Sequence, residues 1–151
     1  DNKRSWYPLP KIAEDGSIEE DHRGLEESKV EISSFINSFR LKTKQVSIIG
    51  GFSQGAALSL SMLFNTSHKF HGCIALSGYM PSAKFYRDSD IMRSKIFIAH
   101  GFSDQAISFD DYEKTYKFLS SKTKEITSYT GDFGHTVTKE VSQKVSEWLS
   151  N

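Results

Sequence analysis

Ser47-Ile48-Ile49-Gly50-Gly51-Phe52-Ser53-Gln54-Gly55-Ala56-Ala57-Leu58-Ser59-Leu60 is the stretch on which the fold turns. An apolar run leads into Gly51-Phe52-Ser53-Gln54-Gly55, and a small-residue helical pattern leads out of it. This is G-x-S-x-G in the context that gives it meaning, a strand before and a helix after. A serine hydroxyl is a weak nucleophile until something presents it and takes its proton. A sharp strand-to-helix turn would do the presenting, pushing the Ser53 side chain out at the carboxyl end of the strand. Such a turn crowds the residues two before and two after the serine. Glycine at Gly51 and Gly55 lets the two backbones pass without a Cβ between them. The turn also aims the first N–H groups of the helix at the space above Ser53, where an oxyanion would form. The plain alternative is an ordinary Gly/Ser turn joining a strand to a helix.

The whole chain suits such a centre. Its 151 residues, 37% hydrophobic and 13% aromatic, are enough for a single domain over 1–151 with one core. Lys+Arg and Asp+Glu balance at 19 each, with a pI near 7.1, so nothing asks for nucleic acid or an anionic membrane as partner. A single cysteine, Cys73, excludes an internal disulfide and fits a reducing compartment, the cytoplasm. It lies in the apolar run Cys73-Ile74-Ala75-Leu76, where a buried, inert thiol is favoured over a nucleophile. No apolar segment approaches the roughly 18 residues that span a bilayer. The first residue is Asp1 rather than Met, so a targeting signal is neither indicated nor excluded.

Read in order, the chain alternates. Trp6-Tyr7-Pro8-Leu9-Pro10 and the polar loop Glu14-Asp15-Gly16 come first, and the prolines argue against a helix interior or central strand. A helical pattern is expected from Ser17, which forms a capping box with Glu20 and places Leu25, Ile32, Phe35, Ile36 and Phe39 on one face. Gly24 marks a break or a close approach within it. Four short apolar runs follow, Val46 to Gly50, Gly72 to Ser77, Ile96 to Ala99 and Glu125 to Tyr129. The first three read as strands buried on both faces of a parallel sheet. Helical patterns fill the gaps at Gln54 to Phe64, Phe109 to Ser120 and Thr136 to Leu149, while Met80 to Arg93 reads as a longer connection beside a ligand site. Alternating strand and helix imply an α/β fold, a mostly parallel sheet with helices on both faces.

An elbow serine calls for an acid and then a base further along, in loops that leave the carboxyl ends of later strands. Two places fit, His100-Gly101-Phe102-Ser103-Asp104-Gln105-Ala106-Ile107 and Gly131-Asp132-Phe133-Gly134-His135-Thr136. His135 is expected as the general base that accepts the Ser53 proton, and Asp104 as the carboxylate that orients its imidazole. His100 precedes Asp104, so as base it would break the order; its ring is expected to brace the Asp104 loop. His22, His68 and His71 read as surface histidines. Asp132 leaves the same tight loop as His135 and could not easily face it. Asp110 and Asp111 open a helix, where carboxylates are favoured anyway.

Gly50 to Leu60, Ala75-Leu76-Ser77-Gly78-Tyr79-Met80-Pro81, His100 to Ile107 and Gly134-His135-Thr136 together resemble the phospholipase/carboxylesterase family, which includes the acyl-protein thioesterases. Trp6-Tyr7 is similar to the aromatic pair before that family's first helix, and the likeness runs in order to Trp148. The resemblance implies an α/β-hydrolase fold and hydrolysis of carboxylic esters or thioesters without cofactor or metal. Its nucleophile falls on Ser53, its acid on Asp104 and its base on His135, while the Gln54 backbone N–H takes the place of one oxyanion donor. Ala56 stands where the family usually has glycine, and Ser108 where proline often follows. Family members also carry an upstream stretch with the first strands and a His-Gly loop that supplies the other oxyanion N–H. Nothing here matches that stretch, so the chain is expected to be the C-terminal portion of such a hydrolase, with a long apolar edge on the elbow strand. Loss of one oxyanion donor costs about 10²–10³ in turnover.

The expected activity is thus that of a serine hydrolase acting on a small acyl ester or thioester through an acyl-Ser53 intermediate. Tyr79, Met80 and Phe102 are candidates to line an acyl pocket, with core packing as the alternative for each. Two other readings stay open, a binding protein that keeps the fold without turnover and an inactive fragment that needs its amino-terminal part. Self-association into a homodimer stays open as well.

Overall fold

The computed structural model describes residues 5–12, 14, 18–39, 48–64, 69–81, 83–86 and 94–151, with the backbone alone at 12, 18, 19 and 84. They divide into two units, Asp1–Gln45 and Val46–Asn151.

In the first unit, β1 (Lys11–Ile12) and β2 (Ile18–Glu19) pair antiparallel, and α1 (His22–Ser38) follows. The helix therefore starts five residues later than the pattern from Ser17 suggests, and Glu20 is not in it. Ser17 itself lies outside the described residues. The cap is Asp21, whose carboxylate accepts the Gly24 N–H at 3.0 Å. Gly24 is a point of close approach, since a Cβ there would stand 3.0 Å from the Pro8 ring and 3.2 Å from the Tyr7 Cβ. Leu25 is buried and Ile32 and Ile36 are half-buried, but Phe35 and Phe39 are exposed and meet edge to face at 4.7 Å. At 3.6 residues per turn Phe35 lies about 80° off the line through Leu25, which takes it off the buried stripe.

The second unit is built on a four-stranded parallel sheet in the order β3 (Ile48–Phe52), β4 (Gly72–Leu76), β5 (Lys95–Gly101), β6 (Ile126–Gly131). Alternate residues of the central strands feed two cores. Cys73, Ala75, Ile96 and Ile98 pack with Ala56 and Leu60 of α2 (Gln54–Ser61) and Tyr112 and Leu119 of α3 (Phe109–Ser120). Phe97 and Ala99, with Ile74 and Leu76, meet Val141, Val145 and Trp148 of α4 (Lys139–Leu149) on the opposite face. Burying one side chain of this kind contributes about 1.5–3 kcal/mol, so the two faces together define the sheet's place between the helices.

β5 is buried on both faces as expected and β4 on one, with Ile74 and Leu76 half-buried on its other face, but β3 is buried on neither. Its residues alternate between exposed and half-buried, with Ile48 42% and Phe52 38% exposed. Among the described residues β3 pairs only with β4, so it is an edge of this sheet. The expected start of its run at Val46 lies outside the described residues, as do His68 and Arg87–Arg93 of the long connection, which contains a 3₁₀ turn at Ala83–Phe85.

Helix ends follow their local bonds. α3 covers the expected residues because Ser108 caps it, its Oγ accepting the Asp111 N–H at 3.1 Å and donating to the Asp111 carboxylate at 2.7 Å. α2 stops at Ser61, where Leu63 and Phe64 turn their N–H groups back to Leu60 and Ser61 in three-residue steps. α4 begins at Lys139 rather than Thr136, since the Thr136 N–H is tied to Gly134 and Thr138 is the cap for Val141.

Candidate active site

β3 ends at Phe52 and α2 begins at Gln54, leaving Ser53 alone to make the turn. It does so at φ 56° and ψ −123°, a backbone region that L residues seldom occupy. Three bonds hold it there. The Ser53 N–H continues the parallel ladder to Leu76 O at 2.9 Å, and its own carbonyl accepts from Ala56 and Ala57 at 3.0 and 3.1 Å. The crossing of strand and helix is close, for a Cβ on Gly51 would lie 2.3 Å from the Gly55 carbonyl carbon and oxygen.

β5 and β6 deliver the other groups. After Gly101 the chain turns with its Phe102 N–H on Gly131 O at 2.9 Å and its Ser103 N–H on Phe133 O at 3.1 Å. The contact is tight enough that a Cβ on Gly101 would fall 1.9 Å from the Phe133 oxygen. The Asp104 side chain is turned inward and fully buried. Its Oδ1 accepts the N–H groups of Ala106 at 2.9 Å and Ile107 at 3.0 Å. Its Oδ2 lies 2.7 Å from His135 Nδ1, and His135 Nε2 lies 2.9 Å from Ser53 Oγ. With a carboxylate on one side and a hydroxyl on the other, the network assigns the proton to Nδ1 and leaves Nε2 to accept from the serine.

Burial pushes the Asp104 carboxyl up, but the Ile107 N–H, the His135 imidazole and the Ala106 N–H outweigh it. The net result is a carboxyl held below its usual range and ionised at neutral pH.

The structure thus brings Ser53, Asp104 and His135 into one hydrogen-bonded line. His71 is exposed ahead of β4, as a surface reading expects, while His22 is half-buried on α1. Asp132 accepts the Ser103 hydroxyl at 2.9 Å in an exposed contact, so it ties the two loops together from the outside. His100 sits behind Asp104, with Nε2 3.0 Å from Ile107 O. Gln54 opens α2, which puts its N–H at the amino end of the helix beside Ser53. Of the three residues considered for a pocket, Met80 is buried in the core with its N–H on Thr115 Oγ1, Tyr79 is half-buried, and Phe102 is 55% exposed against Phe109.

Two contacts were not foreseen from the residue pattern. The Phe52 ring leans on the His135 imidazole with centroids 4.7 Å apart, and Ser103 joins Asp132. Phe52 lay inside the elbow motif, which marked it as a neighbour of the serine. For the Ser103–Asp132 pair, 29 residues apart, no local pattern exists.

A parallel sheet with a serine at a strand-to-helix turn, and an aspartate and a histidine on later loops, has the α/β-hydrolase architecture. The chain belongs to the phospholipase/carboxylesterase family, whose model matches residues 1–151. It is 34% identical to acyl-protein thioesterase 1 homolog 1 of Dictyostelium discoideum, over 97% of this chain and 66% of that protein. It is 29% identical to acyl-protein thioesterase 1 of Candida albicans, over 97% and 68%. The crystal structure of Arabidopsis thaliana SOBER1 superposes with a TM-score of 0.77 at 20% identity, covering 97% of this chain and 73% of that one. The chain therefore spans about two thirds of the length of these curated relatives. Among the described residues no helix is long and apolar enough to cross a membrane.

Proposed function

We propose that this chain carries the reacting centre of a serine hydrolase that cleaves carboxylic esters or thioesters. The observation that carries the proposal is the continuous line from Ser53 Oγ through His135 to Asp104, at 2.9 and 2.7 Å. The names of the relatives, thioesterases among them, favour the same substrate class.

Ser53 Oγ attacks the acyl carbon while His135 Nε2 takes its proton. Negative charge moves onto the carbonyl oxygen, where the Gln54 N–H and the amino end of α2 receive it. The tetrahedral species collapses, the bond to the leaving oxygen or sulfur breaks, and His135 returns the proton to it. A water then gives its proton to His135 and attacks the acyl-Ser53 carbon; the bond to Ser53 Oγ breaks as His135 passes that proton to it, releasing the acid and restoring the serine. Asp104 stays ionised throughout and offsets the charge on the imidazolium. The lone thiol, Cys73, is free and buried, which fits a reducing, cytoplasmic setting; burial pushes it up and away from thiolate chemistry.

The test is a series of p-nitrophenyl esters and matching thioesters from acetyl to palmitoyl, with Ser53→Ala as the comparison. Turnover by the parent and a fall of about 10⁶-fold in the variant are expected. Equal turnover by both would remove Ser53 from the mechanism.

A further inference from the structure

His100 is a polar side chain in the middle of an apolar core, and the mechanism above gives it no task. It is 0% exposed, with its ring beside those of Tyr112 and Phe109 at 5.3 and 6.3 Å between centroids. Its Nε2 faces the Ile107 carbonyl at 3.0 Å, so that nitrogen carries the hydrogen and donates it. The same nitrogen is 3.5 Å from Asp104 Oδ2, the oxygen turned to His135. Nδ1 is buried and has no hydrogen-bond partner. A leucine of similar size would fill this place without leaving a buried nitrogen bare, and a bare buried polar atom costs stability. Packing alone does not account for an imidazole here.

What the ring does is hold residue 107 by its carbonyl, while the N–H of that residue holds Asp104 Oδ1. Asp104 is therefore fixed from two sides. The N–H groups of Ala106 and Ile107 occupy Oδ1, and the loop that presents them is pinned to β5 through His100. We propose that His100 is a positioning residue for Asp104, keeping the 104–107 loop closed so that Oδ2 stays turned to His135. The proposal rests on the reading of Ser53, His135 and Asp104 as the reacting line.

The test compares His100→Leu, His100→Gln and His100→Asn in the whole chain. Glutamine can bring an N–H close to the former Nε2 position; asparagine is too short to reach Ile107. Two readouts are taken, kcat against KM for ester hydrolysis and the low-field proton resonance of His135 Nδ1–H, which needs no turnover. His100→Leu is expected to lower kcat by about 10–100-fold with KM little changed, since the cost lies in geometry. The His135 resonance should shift or broaden in that variant, and glutamine should restore both. If the parent hydrolyses nothing, the hydrolase reading fails while the resonance still reports on His100. A folded His100→Leu with parent kcat and an unmoved His135 resonance would overturn the proposal. Should leucine prevent folding, the amide pair decides: glutamine keeping the resonance and asparagine losing it supports the proposal, and equal behaviour of the two overturns it.

Discussion

Gly51→Ala probes the crossing on which the Ser53 turn depends. The added Cβ would stand 2.3 Å from Gly55 C and O and 2.7 Å from Ala56 N. Carbon contacts settle near 3.5–4.0 Å, so strand and helix must part by about 1 Å. The atoms met are backbone, and no rotamer change relieves them. Ser53 sits between the two elements, and its Oγ is 2.9 Å from His135 Nε2, so the parting falls on that bond and carries it beyond hydrogen-bonding range. Misplacing a reacting group by 1 Å costs on the order of 10²-fold in rate. Overpacking adds about 1–3 kcal/mol of destabilisation, or roughly 2–12 °C in Tm for a chain of this size. Initial rates on p-nitrophenyl butyrate and a thermal melt measure both. Gly50→Ala is the control, since its Cβ would meet Ile74 O at 3.0 Å on the neighbouring strand and leave the turn alone. It should lose stability with little loss of rate. A Gly51→Ala protein with the parent's rate and Tm would show that the crossing does not set the position of Ser53.

Two further sites give three more outcomes. Asp104 has its folded carboxyl below the ordinary 3.8, so it stabilises the fold above that pH and the contribution is lost as pH falls through the lower folded value. The stability gap between the parent and Asp104→Asn, measured by urea unfolding, should be full at neutral pH and shrink below 3.8; a gap independent of pH would contradict this. The same variant should lose about 10⁴ in kcat, because asparagine favours the wrong imidazole tautomer. Ser103→Ala removes the outer tie between the two loops but leaves the Phe102 and Ser103 N–H bonds in place. A loss of about 0.5–1.5 kcal/mol is expected. Asp132→Ala and the double variant should add nothing beyond it, which a double-mutant cycle checks.

Much of the site was legible because its signals are local or ordered along the chain. The elbow announces itself through Gly51, Ser53 and Gly55 between an apolar run and a helical pattern. Asp104 and His135 stand out because each follows an apolar strand, and the structure brings both into one hydrogen-bonded line with Ser53. His100 lies near the end of β5 just ahead of Asp104, and its Nε2 meets Ile107 O. What stayed hidden depends on pairings between distant residues. Ile18–Glu19 form a strand because Lys11–Ile12 pair with them, so helical spacing after Ser17 misplaced the start of α1. The exposure of Ile48 and Phe52 comes from the edge position of β3, which hydrophobicity along one strand does not report. The Ser103–Asp132 bond joins two loops that meet only in the folded sheet.

Modification by a fluorophosphonate probe tests most directly whether Ser53 is the nucleophile of this chain. Intact-mass and peptide analysis should find one adduct, on Ser53, absent in Ser53→Ala and formed far more slowly in His135→Ala. An adduct on another residue, or labelling that persists in Ser53→Ala, would contradict it.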